Sequence, residues 1–101
     1  MTTKRKPAHP GRILKNMYLE PLNLTITYVA DMLGVSRKAI SSIVNERKSV
    51  TPEMALRFSI AFDTTPELWM NLQKNHDLWR AANSTEGWKD VKPIYIAPSF
   101  A

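Results

Sequence analysis

The stretch Thr27–Asn45, TYVADMLGVSRKAISSIVN, constrains this chain more than any other. It reads as two short helices joined by a tight turn. Val29, Ala30 and Leu33 fall on one face of the first helix, and Ile40, Ile43 and Val44 on one face of the second. Gly34 can take the positive φ that ends a helix, and Ser36 stands where a cap for the next helix belongs. The outer face of that next helix carries Ser, Arg, Lys, Ser, Ser and Asn. It lacks the Glu/Lys mixture of an ordinary solvated face and suits a polar, negatively charged partner.

Two helices that cross steeply need a small residue where they touch, and Ala30 supplies it. The turn needs a residue free of Cβ clash, which Gly34 is. Val29, Leu33, Val35, Ile40 and Ile43 anchor both helices from beneath. Together these positions predict a helix-turn-helix whose second helix enters the major groove of duplex DNA. On that reading Arg37 and Lys38 are candidates to donate to guanine O6 and N7, and Ser41 to several bases. Ser36 belongs to the same surface, while Ser42 and Asn45 suit either base or backbone. Thr27, at the start of helix 2, and Arg47 with Lys48, after helix 3, suit phosphates, which set position rather than sequence preference. Two plainer readings stand beside this one: a helical hairpin with only a packing role, and a solvated basic loop at Arg47–Lys48.

The charge pattern bears on the choice. The formal charge is +5, with nine Lys/Arg and three Asp/Glu in residues 1–50 against five and six in residues 51–101. A basic half that contains a polar-faced helix points to a polyanion, although charge alone equally serves solubility. Enzyme chemistry finds no footing. The chain has no cysteine, so neither a disulfide framework nor a thiolate metal site is available. His9 and His76 have no metal-ligand spacing, and there is no Gly-rich phosphate loop. His76 and Asp77, adjacent on a helix, point about 100° apart and are not expected to face each other. No catalytic residue, metal site or cofactor is expected. No apolar run reaches the roughly 18–20 residues of a membrane span, and the basic N-terminus lacks an apolar signal core, so a cytoplasmic protein is expected.

The rest of the chain reads as support. Residues 1–9 form a basic arm, either solvated and flexible or able to contact phosphates or a minor groove. Pro10 opens helix 1, about 10–20, with Ile13, Leu14, Met17 and Tyr18 at helical spacing, and Pro21 closes it. Leu22, Leu24 and Ile26 are expected to cover the core. Helix 2 spans about 26–33, with Thr25 or Thr27 as its cap, and helix 3 about 36–45. Thr51-Pro52-Glu53 starts helix 4, about 52–62, expected to be largely buried. Thr65-Pro66-Glu67 starts helix 5, about 66–82, with Leu68, Trp69, Leu72, His76, Leu78 and Trp79 as its apolar stripe. The domain is thus expected over 10–83, with a tail over 84–101. In the tail, Val91–Ile96 reads as a short strand that needs a second copy to pair with.

The ordered set His9-Pro10-Gly11, Leu19-Glu20-Pro21-Leu22, Leu33-Gly34-Val35-Ser36-Arg37, Ile43-Val44-Asn45, Thr51–Arg57, Thr65–Gln73 and Asp77-Leu78-Trp79 resembles the HigA/VapI-type antitoxins of bacterial toxin–antitoxin modules. These are a branch of the Cro/C1-like (XRE) helix-turn-helix family. The resemblance covers roughly residues 9–80. It implies an all-α, five-helix, lambda-repressor-like domain with a short C-terminal extension, possibly one β-strand. It also implies a homodimer that binds a palindromic operator of double-stranded DNA, represses its own operon and neutralises a HigB-like ribonuclease toxin. Family members often carry Gln near the start of helix 2 and early in helix 3, where this chain has Thr27 and Lys38. The alternatives are a helix-turn-helix regulator without a toxin partner and a protein-interaction module that does not bind DNA.

Overall fold

Among the described residues, each of the five main helices starts on a side-chain acceptor, and four are followed by a residue in the left-handed region. The computed structural model describes residues 5–95 and 98. Helix α1 opens as Pro10–Ile13 and continues as a π-helical segment, Leu14–Leu19. Then come α2 (Ile26–Leu33), α3 (Arg37–Val44), α4 (Pro52–Phe62), α5 (Pro66–Ser84) and a 3₁₀ turn, Gly87–Asp90. The N-cap acceptors are His9 Nδ1, Thr25, Ser36, Thr51 and Thr65, each taking an amide at 2.9–3.2 Å. They satisfy donors that a helix start leaves without an internal partner.

The ends share one device. Asn23, Gly34, Glu46 and Asp63 all have φ between 52° and 71°. After each, the next amide reaches back five residues: Leu24 to Leu19 at 2.8 Å, Val35 to Ala30 at 3.0 Å, Arg47 to Ser42 at 2.8 Å and Thr64 to Ser59 at 3.0 Å. This is the Schellman closure; it stops α2, α3 and α4 within two residues, and at Asn23 it ends the turn that follows α1. Only Gly34 has the residue type that adopts this conformation without cost.

Trp69 is the centre of the core, with no exposed surface. Phe58 meets it edge-on at 4.9 Å, Tyr18 stands at 5.9 Å and Phe62 at 6.3 Å, while its indole N–H donates to Thr64 Oγ1 at 2.8 Å. Leu14, Val29, Ala30, Leu33, Ile40 and Ile43 close the core beneath α3. The π-helical segment serves this packing. An α-helix would set Leu14 and Leu19 about 140° apart, whereas an i→i+5 ladder stacks them, and both are buried.

Several expectations need correction. Helix α4 is not largely buried: Leu56 is 54% and Ile60 85% exposed. Its apolar residues at 54, 56, 58, 60 and 62 alternate, and no helix face holds a period of two. Met17 and Leu22 also face out, as does Leu78 on α5. Helix α5 runs to Ser84 rather than stopping near 82, because Asn83, Ser84 and Thr85 bond back to the carbonyls of Trp79, Arg80 and Ala81. Val91–Tyr95 forms no strand in the single chain, which offers it no backbone to pair with. Ile96, the last residue of that expected strand, lies outside the described residues. His76 and Asp77 do approach, Nδ1 to Oδ1 at 3.6 Å. Their Cα–Cβ bonds diverge, but the Asp77 carboxylate swings toward α5's buried side, where it also accepts from Gln73 Nε2 at 3.0 Å.

Helix α1 lies against the end of α3 in close backbone contact. A Cβ on Gly11 would stand 1.7 Å from the Ile43 carbonyl oxygen. Gly11→Ala should therefore destabilise by about 3 kcal/mol, the upper end for overpacking because the obstacle is backbone. Thermal unfolding should show this as a fall of roughly 10–20 °C in Tm; an unchanged Tm would mean the two helices part freely. The same junction is acid-sensitive. His9 is buried, caps α1 through an unprotonated Nδ1, and meets the His76 ring edge-on at 4.9 Å. Burial, and next the neighbouring His76, lower its pKa from the usual 6.5, outweighing Glu46 and Asp77. The folded state thus binds fewer protons than the unfolded one as pH drops below 6.5. His9 contributes its full stability above that pH and loses it as pH falls through the lowered value. Tm should begin to drop as pH falls below 6.5, before the carboxylates titrate. His9→Asn, which keeps a capping acceptor, should flatten the drop; an equal drop would assign it elsewhere.

Candidate nucleic-acid interface

Helix α3 is held from three sides and open on the fourth. Ile40 and Ile43 are buried against the core. Gly11 presses on its last turn from α1, and α2 leads into it through Gly34, at φ 71°, and Val35. Arg57 of α4 braces that turn, Nη1 donating to the Leu33 carbonyl at 2.6 Å while Nε stands 3.5 Å from Glu53. The Cβ-free Gly34 leaves room for this guanidinium, since a Cβ there would be 3.3 Å from Nη1.

The open side carries the polar residues singled out in the sequence. At 100° per residue, Arg37, Ser41, Asn45, Lys38 and Ser42 fall within an arc of about 140°. Arg37, Lys38 and Asn45 are exposed, and Ser41 and Ser42 half-buried. Ser36 Oγ accepts the Ala39 amide at 3.0 Å, and its O–H is left free to donate. Asn45 Nδ2 donates to the Ser41 carbonyl at 2.9 Å and to Ser41 Oγ at 3.2 Å. These two side chains form one hydrogen-bonded unit in which Asn45 Oδ1 remains as acceptor. The sequence does not disclose this pairing, although i, i+4 spacing allows it.

Thr27 is exposed one residue inside the start of α2, where first-turn amides favour an anion. Arg47 and Lys48 are exposed just past α3, and both amides bond the Ser42 carbonyl, at 2.8 and 3.2 Å. Their backbone is thereby fixed to the helix. Glu46, between Asn45 and Arg47, pairs with Arg12 of α1 at 3.6 Å, which leaves the cations around it as the dominant charge. Val50 then buries itself, its amide donating to the buried Gln73 Oε1 at 2.8 Å, and so ends the loop on α5. Sequence reasoning missed Arg12, Arg57 and Gln73, since each acts on a segment remote along the chain.

No group of three or more His, Cys, Asp or Glu side chains gathers among the described residues as a metal ion would need. No described helix is long and apolar enough to cross a membrane.

The arrangement recurs in known proteins. Residues 16–69 match the Helix-turn-helix family HTH_3. The chain is 46% identical over 96 residues to the "uncharacterized HTH-type transcriptional regulator YbaQ" of Escherichia coli strain K12, covering 95% of this chain and 85% of that one. To antitoxin HigA-1 of Vibrio cholerae it is 36% identical over 96 residues, covering 94% and 90%. The solved structure of antitoxin GraA in complex with its operator superposes with a TM-score of 0.86 at 35% identity, covering 95% of this chain and 99% of that one. With its matched core, its five helices and its α3 presented outward, the chain belongs to the HigA-type antitoxin branch of the XRE helix-turn-helix family.

Proposed function

We propose that this protein is a cytoplasmic, non-enzymatic repressor-antitoxin: as a homodimer it binds a palindromic operator of its own operon, and it neutralises a HigB-like ribonuclease toxin. The observation that carries the reading is the clear polar arc of α3 with basic residues at both ends, in a chain whose relatives include an antitoxin solved on its operator. Arg37, Lys38 and Ser41 read base edges in the major groove. The Ser41–Asn45 unit and Ser42 stand at the groove wall, and Ser36 donates beside them. Thr27, Arg47 and Lys48 hold phosphates. The dimer places two copies of α3 about 34 Å apart, one turn of DNA. Leu78 and the exposed Trp88, Val91, Ile94 and Tyr95 of the C-terminal segment supply the apolar surface for that pairing.

Two substitutions separate base from phosphate contacts. Arg37→Ala should cost roughly 1–3 kcal/mol at the operator and relax preference at one base pair. Equal loss on random duplex would make Arg37 a phosphate contact. Lys48→Ala should weaken binding to all sequences alike and reduce the steepness of the salt dependence by about one. A loss confined to the operator would overturn that role.

A further inference from the structure

The faces of this protein differ sharply in charge. Between Asn16 and Ser36, the segment that makes α2 and its approach, there is no Lys or Arg, only Glu20 and Asp31. Between Ser49 and Gln73, which holds α4 and the start of α5, Glu53, Asp63 and Glu67 stand against the single Arg57. All five acids are exposed. In a chain of net charge +5, the segments of α2 and α4 are thus acidic, while the arm, α1, α3 and the loop after α3 hold nine of the fourteen Lys and Arg.

A groove of about 620 Å³ lies between α2 and α4. Its walls are mostly apolar and stand out into solvent: Leu22 is 60%, Tyr28 52%, Met32 66% and Ile60 85% exposed. Large apolar side chains grouped in this way mark an interaction site. A small molecule is a poor occupant, because walls this exposed would leave it half-wet and the lining offers few polar groups to orient it. Arg57, the only cation in the lining, is already committed to the Leu33 carbonyl and Glu53. DNA is a poor occupant, because the segments that build the groove carry Glu20, Asp31, Glu53 and Asp63 and, Arg57 apart, no Lys or Arg. Among the described residues, none of those assigned to DNA or to the C-terminal pairing surface lines the groove.

We infer that this α2–α4 groove is where the toxin docks, through an apolar ridge or helix face flanked by Lys and Arg. The inference rests on the antitoxin reading above. Charge supplies the commitment to that occupant. A ribonuclease must hold phosphates and therefore carries a basic surface, which the exposed Glu20, Asp31, Glu53 and Asp63 complement. The apolar walls take the anchor, as in other helix-in-groove contacts.

The probe is the small basic protein encoded by the reading frame adjoining this chain's gene, titrated calorimetrically against the purified full chain. Ile60→Lys, at a position too exposed to disturb the core, should weaken binding about 30-fold or more, the loss expected of an interface anchor. Ile60→Val should bind like the original chain, and both variants should keep their operator affinity and native mass. Equal binding by Ile60→Lys and the original chain would place the toxin elsewhere and leave the antitoxin reading intact. A halved mass of free Ile60→Lys in sedimentation would make the groove a contact between copies of this chain, and the inference falls. No binding by the original chain would remove the antitoxin reading and the inference together.

Discussion

The contact between Gly11 and the Ile43 carbonyl governs where everything else in this protein can sit. Backbone rests on backbone there, with no side chain to yield. The approach fixes α1 to the last turn of α3, and with it the angle at which α3 projects. The same corner holds the His9 cap, the His9–His76 contact and the Arg12–Glu46 pair. Any change that separates α1 from α3 therefore disturbs the helix start, the buried histidines and the loop carrying Arg47 and Lys48 together. Close packing transmits such strain instead of absorbing it.

How much of this could be read beforehand follows from how local each determinant is. Helices α2 to α4 begin and end where Thr25, Gly34, Ser36, Thr51 and Pro52 predict, because capping is settled within four residues of chain. The buried faces of α2 and α3 were legible for the same reason: Val29, Leu33, Ile40 and Ile43 keep the helical period. The exposed polar arc of α3 was legible as composition on one face. The role of Gly11 was not, because the atom it accommodates lies in another helix. The π-helical winding was equally hidden, since Leu14 and Leu19 look like members of an ordinary helix until the core shows which way both must point. The exposure of Leu56 and Ile60 could have been suspected from the alternating pattern of α4, where hydrophobicity alone was a poor guide to burial.

Buried polarity is used sparingly and in the same place. Gln73 sits between the Val50 amide and the Asp77 carboxylate, and so joins the end of the loop after α3 to the middle of α5. A buried amide that satisfies a backbone donor specifies one register for that loop, where an apolar residue would leave the Val50 amide without a partner. The loop's backbone is thus defined at both ends, by the Ser42 carbonyl at one and by Gln73 at the other. Only the side chains of Arg47 and Lys48 are left to adapt.

The division of charge between the α3 side and the α2–α4 side has a consequence before any contact forms. A body with cations on one side and carboxylates on another carries an electric dipole. In the field of a duplex it turns as it approaches, within a Debye length of about 8–10 Å at ordinary ionic strength. On the DNA-binding reading proposed for α3, the torque brings that helix forward and swings the acidic groove to the far side, so that fewer encounters are wasted on the wrong face. On the same reading, neutralising the carboxylates of α2 and α4 would leave the proposed contacts to DNA in place and still slow the search for it.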